Sequence, residues 1–140
     1  MFDNVLLVAD GSEEGRPCTR TCIELMARTG GRIHALYVTA PMPAVAMAAD
    51  LIEGDTCHQR LWERAQAGLD EVVSLALAHG VPVVTHHAVD TRSAMAILDR
   101  AETCRCDLIV LPGHSHQARL LRHVARDVIR DAPVPVLVFP

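Results

Sequence analysis

The chain has 140 residues, half of them apolar and 21% charged, which suffices for one folded domain and excludes a disordered, collagenous or low-complexity protein. Thirteen basic against 17 acidic residues leave a formal charge of −4, without the basic surplus that phosphate neutralisation by a nucleic-acid-binding module requires. Five cysteines, at 18, 22, 57, 104 and 106, form no disulfide framework, and the opening MFDNVLLVADGSEE lacks the basic region of a secretory signal, so reduced thiols and a cytoplasmic location are expected. The longest mainly apolar stretch, 35–49, is too short and too broken by Pro41 and Pro43 to cross a bilayer.

Val5 to Ala9 (VLLVA) is an aliphatic run of strand length, ended by the turn residues Asp10, Gly11 and Ser12, and reads as a strand covered on both faces. Cys18, Cys22, Leu25 and Met26 then keep the spacing of a helix face, which Gly30 and Gly31 terminate. Ile33 to Val38 is a second strand. The segment from Thr39 to Gly54 has no clear period and is read as a long apolar loop. Leu61, Ala65, Leu69, Val72, Val73 and Ala76 place a helix over about 58–78, followed by a third strand from Pro82 to about Thr85. Ala94, Ile97, Leu98 and Ala101 mark another helix, Leu108 to Leu111 another buried strand, Leu121, Val124, Ala125 and Val128 a last helix, and Val136 to Phe139 a final strand.

Five buried strands alternating with four helices predict an α/β fold: an open, mostly parallel five-stranded sheet with helices on both faces, formed by residues 1–140 as a single domain. Ligands of such sheets sit beyond the carboxyl ends of the strands, which directs attention to Asp10 to Ser12, to Val38 and to Gly113 to His116.

At these tips the chain resembles the universal stress protein family over essentially its whole length. VLLVADGSEEG is similar to that family's opening strand and turn, CDLIVLPGH to its fourth strand, and VARDVIRDAPVPVLVF to its closing helix and strand. The resemblance implies a Rossmann-like sheet, an aspartate at Asp10 that contacts nucleotide, and an adenine-contacting position at Val38. It also implies a phosphate-binding loop of glycine, two residues, glycine, nine residues, then glycine with serine or threonine. Here only Gly113 matches. His116 stands at the second glycine, Arg122 and His123 at the final pair, and five residues instead of nine lie between. The resemblance therefore predicts a cytoplasmic stress-response protein that does not bind ATP and acts through homodimerisation and protein partners, with no cofactor. The alternative is a member that takes ATP or AMP with magnesium at Asp10, Val38, Gly113, His116, Arg122 and His123, and hydrolyses it weakly. No catalytic constellation is visible.

Asp10 also has a purely structural reading, as the capping residue of the turn into the first helix, and Val38 as a strand end. Arg119, Arg122, Arg126 and Arg130 share one face of the last helix, as a solvated face or an anion site. His114 with His116, the pair His86 and His87, and Cys104 with Cys106 are donors for a soft metal, but their spacings match no established pattern and no metal is expected. The apolar last strand lies at a sheet edge. In the family it pairs with its counterpart across a two-fold axis, which makes Val134, Val136, Leu137, Val138 and Phe139 the expected dimer interface.

Overall fold

The computed structural model describes residues 1–54, 56–113 and 118–140, and for 118–122 the backbone alone. Its elements are β1 (Asn4–Val8), α1 (Arg16–Thr29), β2 (Arg32–Thr39), α2 (Ala44–Glu53), α3 (Thr56–Ala78), β3 (Val83–Val89), α4 (Ser93–Thr103), β4 (Leu108–Pro112), α5 (Ala118–Asp131) and β5 (Val136–Phe139). The strands form one sheet in the order β3-β2-β1-β4-β5, and every neighbouring pair is parallel. This is the expected α/β architecture.

The side-chain period of two divides the core. Val5, Leu7, Ala35, Tyr37 and Val110 pack under α1 and α3, against Cys18, Cys22, Met26, Leu69 and Val72. Leu6, Val8, Leu36, Ile109 and Leu111 pack under α4 and α5, against Ile97, Ala101, Val124 and Val128. β1 and β4 are aliphatic because they lie between other strands and are covered on both faces. Among the described residues no helix is long and apolar enough to cross a membrane.

Two expectations need correction. Residues 39–54 are not one loop, since Ala44–Glu53 form α2, which brings the helices among the described residues to five. Pro43 stands at the N-cap of α2, where a proline costs no helical hydrogen bond, and Gly54 ends it in a left-handed conformation with its N–H on the Asp50 carbonyl at 2.7 Å. The Asp50 carboxylate then accepts from the Cys57 and His58 N–H groups at 3.0 and 2.9 Å, tying α2 to the start of α3. The third strand also runs to Val89, beyond Thr85, because its polar His86 and His87 continue the ladder opposite Leu36 and Tyr37.

Candidate functional site

β1 stands between β2 and β4, so the strand order reverses there and a crevice opens beyond the carboxyl ends of β1 and β2. A cavity of about 260 Å³ occupies it, walled by Asp10, Tyr37, Val38, Arg64, Ser93 and Ile97 among others. An adjoining groove of about 350 Å³, bounded by Gly11, Ser12, Gly68 and Glu71, shares Asp10, Tyr37 and Arg64 with it.

Asp10 is buried, with 8% of its surface exposed. Its Oδ1 accepts from the Ser12 N–H at 3.0 Å and the Ser12 hydroxyl at 2.7 Å, and Ser12 Oγ in turn accepts from the Gly15 N–H at 3.0 Å. The aspartate thus shapes the turn that leads into α1, whose N-cap is Gly15 without a side-chain bond. The other oxygen, Oδ2, is buried and has no hydrogen-bond partner among the described residues. Such an acceptor is costly to leave unsatisfied, and this one belongs to a residue that walls both spaces. Cys18 behind it is inert: burial first, and then the Asp10 charge, pushes its thiol up to about 12.

Around this carboxylate the wall is mixed. Val38 supplies apolar surface at the end of β2. Tyr37 is buried beneath the turn, and its ring approaches so closely that a Cβ added at Gly68 would stand 3.1 Å from Cε2. Glu71 at the rim pairs with Arg16 at 2.6 Å, and Arg64 makes no ion pair among the described residues. Ser93 adds a hydroxyl from the first turn of α4.

Of the residues singled out in the sequence, Asp10 and Val38 meet at this cavity. Gly113 is not among its walls: its N–H donates to the Phe139 carbonyl at 2.5 Å, and a Cβ there would stand 2.6 Å from that same oxygen. Its glycine is accounted for by close packing against β5. His123 is exposed on α5. His114 and His116 lie outside the described residues, as do the side chains of Arg119 and Arg122, while Arg126 is exposed and Arg130 pairs with Asp127 and Asp131 at 3.4 and 3.1 Å. Tyr37, Arg64 and Ser93 had not been singled out. The chain has one tyrosine, at a strand end, and that was the available signal for Tyr37.

A parallel five-stranded sheet with a crevice at the reversal of strand order defines a Rossmann-like binding fold. The family model for the universal stress protein family matches residues 1–140, and the chain belongs to that family. Universal stress protein E of Escherichia coli is 25% identical over 97% of this chain but only 44% of its own length, so the chain spans under half of that curated relative. A universal stress protein from Archaeoglobus fulgidus in complex with dAMP superposes with a TM-score of 0.69 at 20% identity, covering 100% of this chain and 98% of that one. A universal stress protein in complex with cAMP does so with 0.69 at 18% identity, over 99% and 96%.

Proposed function

We propose that this universal stress protein binds an adenosine monophosphate-type ligand, without a triphosphate clamp and without turning it over. The observation that carries the reading is Asp10, a residue of the cavity wall whose buried Oδ2 has no hydrogen-bond partner among the described residues, an acceptor that suits an amino or hydroxyl donor of a nucleoside. Arg64 supplies a cation for one phosphate, and Val38 and Ile97 supply apolar surface for a base. The solved relatives in complex with dAMP and cAMP support the same ligand class. Against a triphosphate stands the region after β4, where the Gly113 N–H is taken by β5 and the sequence has His116, Arg122 and His123 at the glycine and hydroxyl positions.

The stress-response role belongs to this reading, as do homodimerisation through β5 and protein partners. Five free cysteines favour a reducing compartment, which supports the cytoplasm.

Thermal unfolding with AMP, dAMP, cAMP, and ATP with and without magnesium tests the ligand class. A monophosphate at about 100 times its Kd adds roughly 2.7 kcal/mol, a midpoint shift of several degrees. ATP is expected to bind no tighter than AMP. Asp10→Asn, which puts a donor where the ligand needs an acceptor, lowers monophosphate affinity about 10-fold or more. If no nucleotide moves the midpoint at millimolar concentration, the cavity reading falls and a protein that acts only through partners takes its place. Tighter ATP than AMP overturns the missing clamp.

A further inference from the structure

A second cluster of chemically active side chains lies away from this cavity, at the β3 edge of the sheet and under the C-terminal end of α4. His34 is the third residue of β2, about 13 Å along that strand from Val38. The register pairs His34 with Val84 and Leu36 with His86, so both histidines face α4, on the side where Leu36 packs. His34 Nδ1 lies 3.0 Å from His86 Nε2, with the two rings 24° from parallel. Cys104 Sγ, at the C-cap of α4, lies 3.7 Å from the same Nε2, and the ligand atoms of all three residues fall within 4.8 Å of one another.

The cysteine is fixed by backbone. The Cys106 N–H bonds the Ala101 carbonyl at 2.8 Å and the Cys104 N–H bonds the Arg100 carbonyl at 2.9 Å, with Arg105 at φ 53° closing the helix. Asn4 then donates from Nδ2 to the carbonyls of Cys104 and Arg105, at 2.5 and 3.2 Å, which ties this turn to β1. The sequence showed His86 beside His87 and Cys104 beside Cys106 but gave no hint of how they pair. The strand sends His87 to the opposite face, onto Thr39 and Trp62, and Cys106 enters the core, which leaves one residue of each pair to meet His34.

We propose that His34, His86 and Cys104 form a three-coordinate site for a soft cation, with Cu(I) as the favoured ion over Zn(II). Two imidazoles and a thiolate are the donors such ions select. A metal with bonds of about 2.0 Å to nitrogen and about 2.3 Å to sulfur needs its nitrogens roughly 3.3–3.5 Å apart and each sulfur–nitrogen pair roughly 3.6 Å apart. The observed 3.0 and 3.7 Å lie near these values, and the third pair, His34 with Cys104, falls within 4.8 Å, so side-chain rotation has to bring His34 and Cys104 closer on binding. Among the described residues the cluster gathers three donors, which suits Cu(I) and falls one short of the closed tetrahedral set of structural zinc.

Charge argues the same way. Arg100 Nη1 stands 3.4 Å from His86 Nδ1, and Arg32 and Arg100 both act on His34. Cu(I) with one thiolate makes a neutral centre beside these cations, whereas Zn(II) leaves a net positive one. On binding, the Cys104 thiol gives up one proton as the metal–sulfur bond forms. The proton of His86 moves to Nδ1, and Arg100 releases that atom. No electron changes hands.

The test is anaerobic titration of reduced, metal-free protein with Cu(I) against a chromophoric Cu(I) chelator, with Zn(II) in parallel. The expected result is one equivalent of Cu(I), an ultraviolet thiolate-to-copper band and release of one proton. Cys104→Ser and His86→Gln each weaken binding by about 100-fold or more, beyond the 10- to 100-fold that outer-sphere changes cause. Cys106→Ser, His79→Ala and the pair His114→Ala with His116→Ala leave it intact. Far-UV circular dichroism establishes that each variant is folded, and His34→Gln serves as a second ligand variant should one fail. Unchanged affinity in folded Cys104→Ser or His86→Gln overturns the site, and Zn(II) displacing Cu(I) overturns the choice of ion.

Discussion

The two carboxylate oxygens of Asp10 meet different surroundings. Oδ1 shapes the turn through Ser12, as a structural aspartate would, while Oδ2 has no partner among the described residues. Val38 was legible for the same reason as Asp10, since strand ends mark the crevice of an open α/β sheet. Arg64 was not: on α3 it follows the same exposed pattern as Arg60, and only the packing of α3 over the tip of β2 separates them. Arg105 is another residue that sequence could not mark. It holds φ 53° at the end of α4, where glycine is the usual occupant, because a β-carbon there costs roughly 1–2 kcal/mol. Glycine returns part of that gain through its freer unfolded chain. Arg105→Gly is therefore expected to stabilise the metal-free protein by about 1 kcal/mol, a rise in Tm of about 3 °C, seen in urea as a higher midpoint at unchanged slope. A lower midpoint would mean that the arginine side chain holds the turn.

Among the elements, β1 and β4 were legible because both faces of each are buried, and α1, α3 and α4 because one face of each is. α2 escaped for the opposite reason. Val45, Leu51 and Ile52 are more than four-fifths exposed, so its apolar residues do not trace a buried stripe, and only the helix propensity of its alanines and its terminal Pro43 and Gly54 identify it. β3 was cut short because its histidines break the aliphatic pattern, yet they carry its chemistry. His34, His86 and His87 are all held below the usual histidine value, by burial in each case, with Arg100 acting on both His34 and His86 and Arg32 on His34. The unfolded chain thus takes up protons near pH 6.5 that the folded β2–β3 pair takes up only at lower pH. Between those values the unfolded state binds more protons, so stability rises with pH and is lost on acidification. The metal-free protein is expected to show a falling Tm from about pH 7.5 to about pH 5.5, with a shallower fall in the His34→Gln and His86→Gln double variant. A Tm that is flat or rises over that window contradicts the assignment.

At the scale of the whole molecule, the sheet keeps two open edges, β3 and β5. β3 offers seven residues with Thr85, His86 and His87 at its centre, whereas β5 offers VLVF between Pro135 and Pro140, without a polar side chain to discourage pairing. The residues expected at a dimer interface are mostly engaged in their own core. Val134, Val136 and Val138 pack toward the α4 and α5 face and Phe139 toward the other, leaving Leu137, at 42%, the exposed large side chain of the segment. A homodimer through β5 therefore has to rest on backbone as well as Leu137. The Pro135 and Phe139 carbonyls are turned to β4, accepting from Ile109 and Gly113, so by alternation the N–H and C=O groups of Val136 and Val138 point to the free edge. Val138→Pro deletes one outward donor while sparing the β4 ladder, and its fixed φ suits an edge strand. Multi-angle light scattering is expected to give a dimer for the natural chain at micromolar concentration and a monomer for Val138→Pro, with unchanged far-UV circular dichroism. Leu137→Arg should weaken the dimer from the side-chain side and leave the fold alone. A monomeric natural chain, or a dimer that survives both substitutions, would move the contact away from β5.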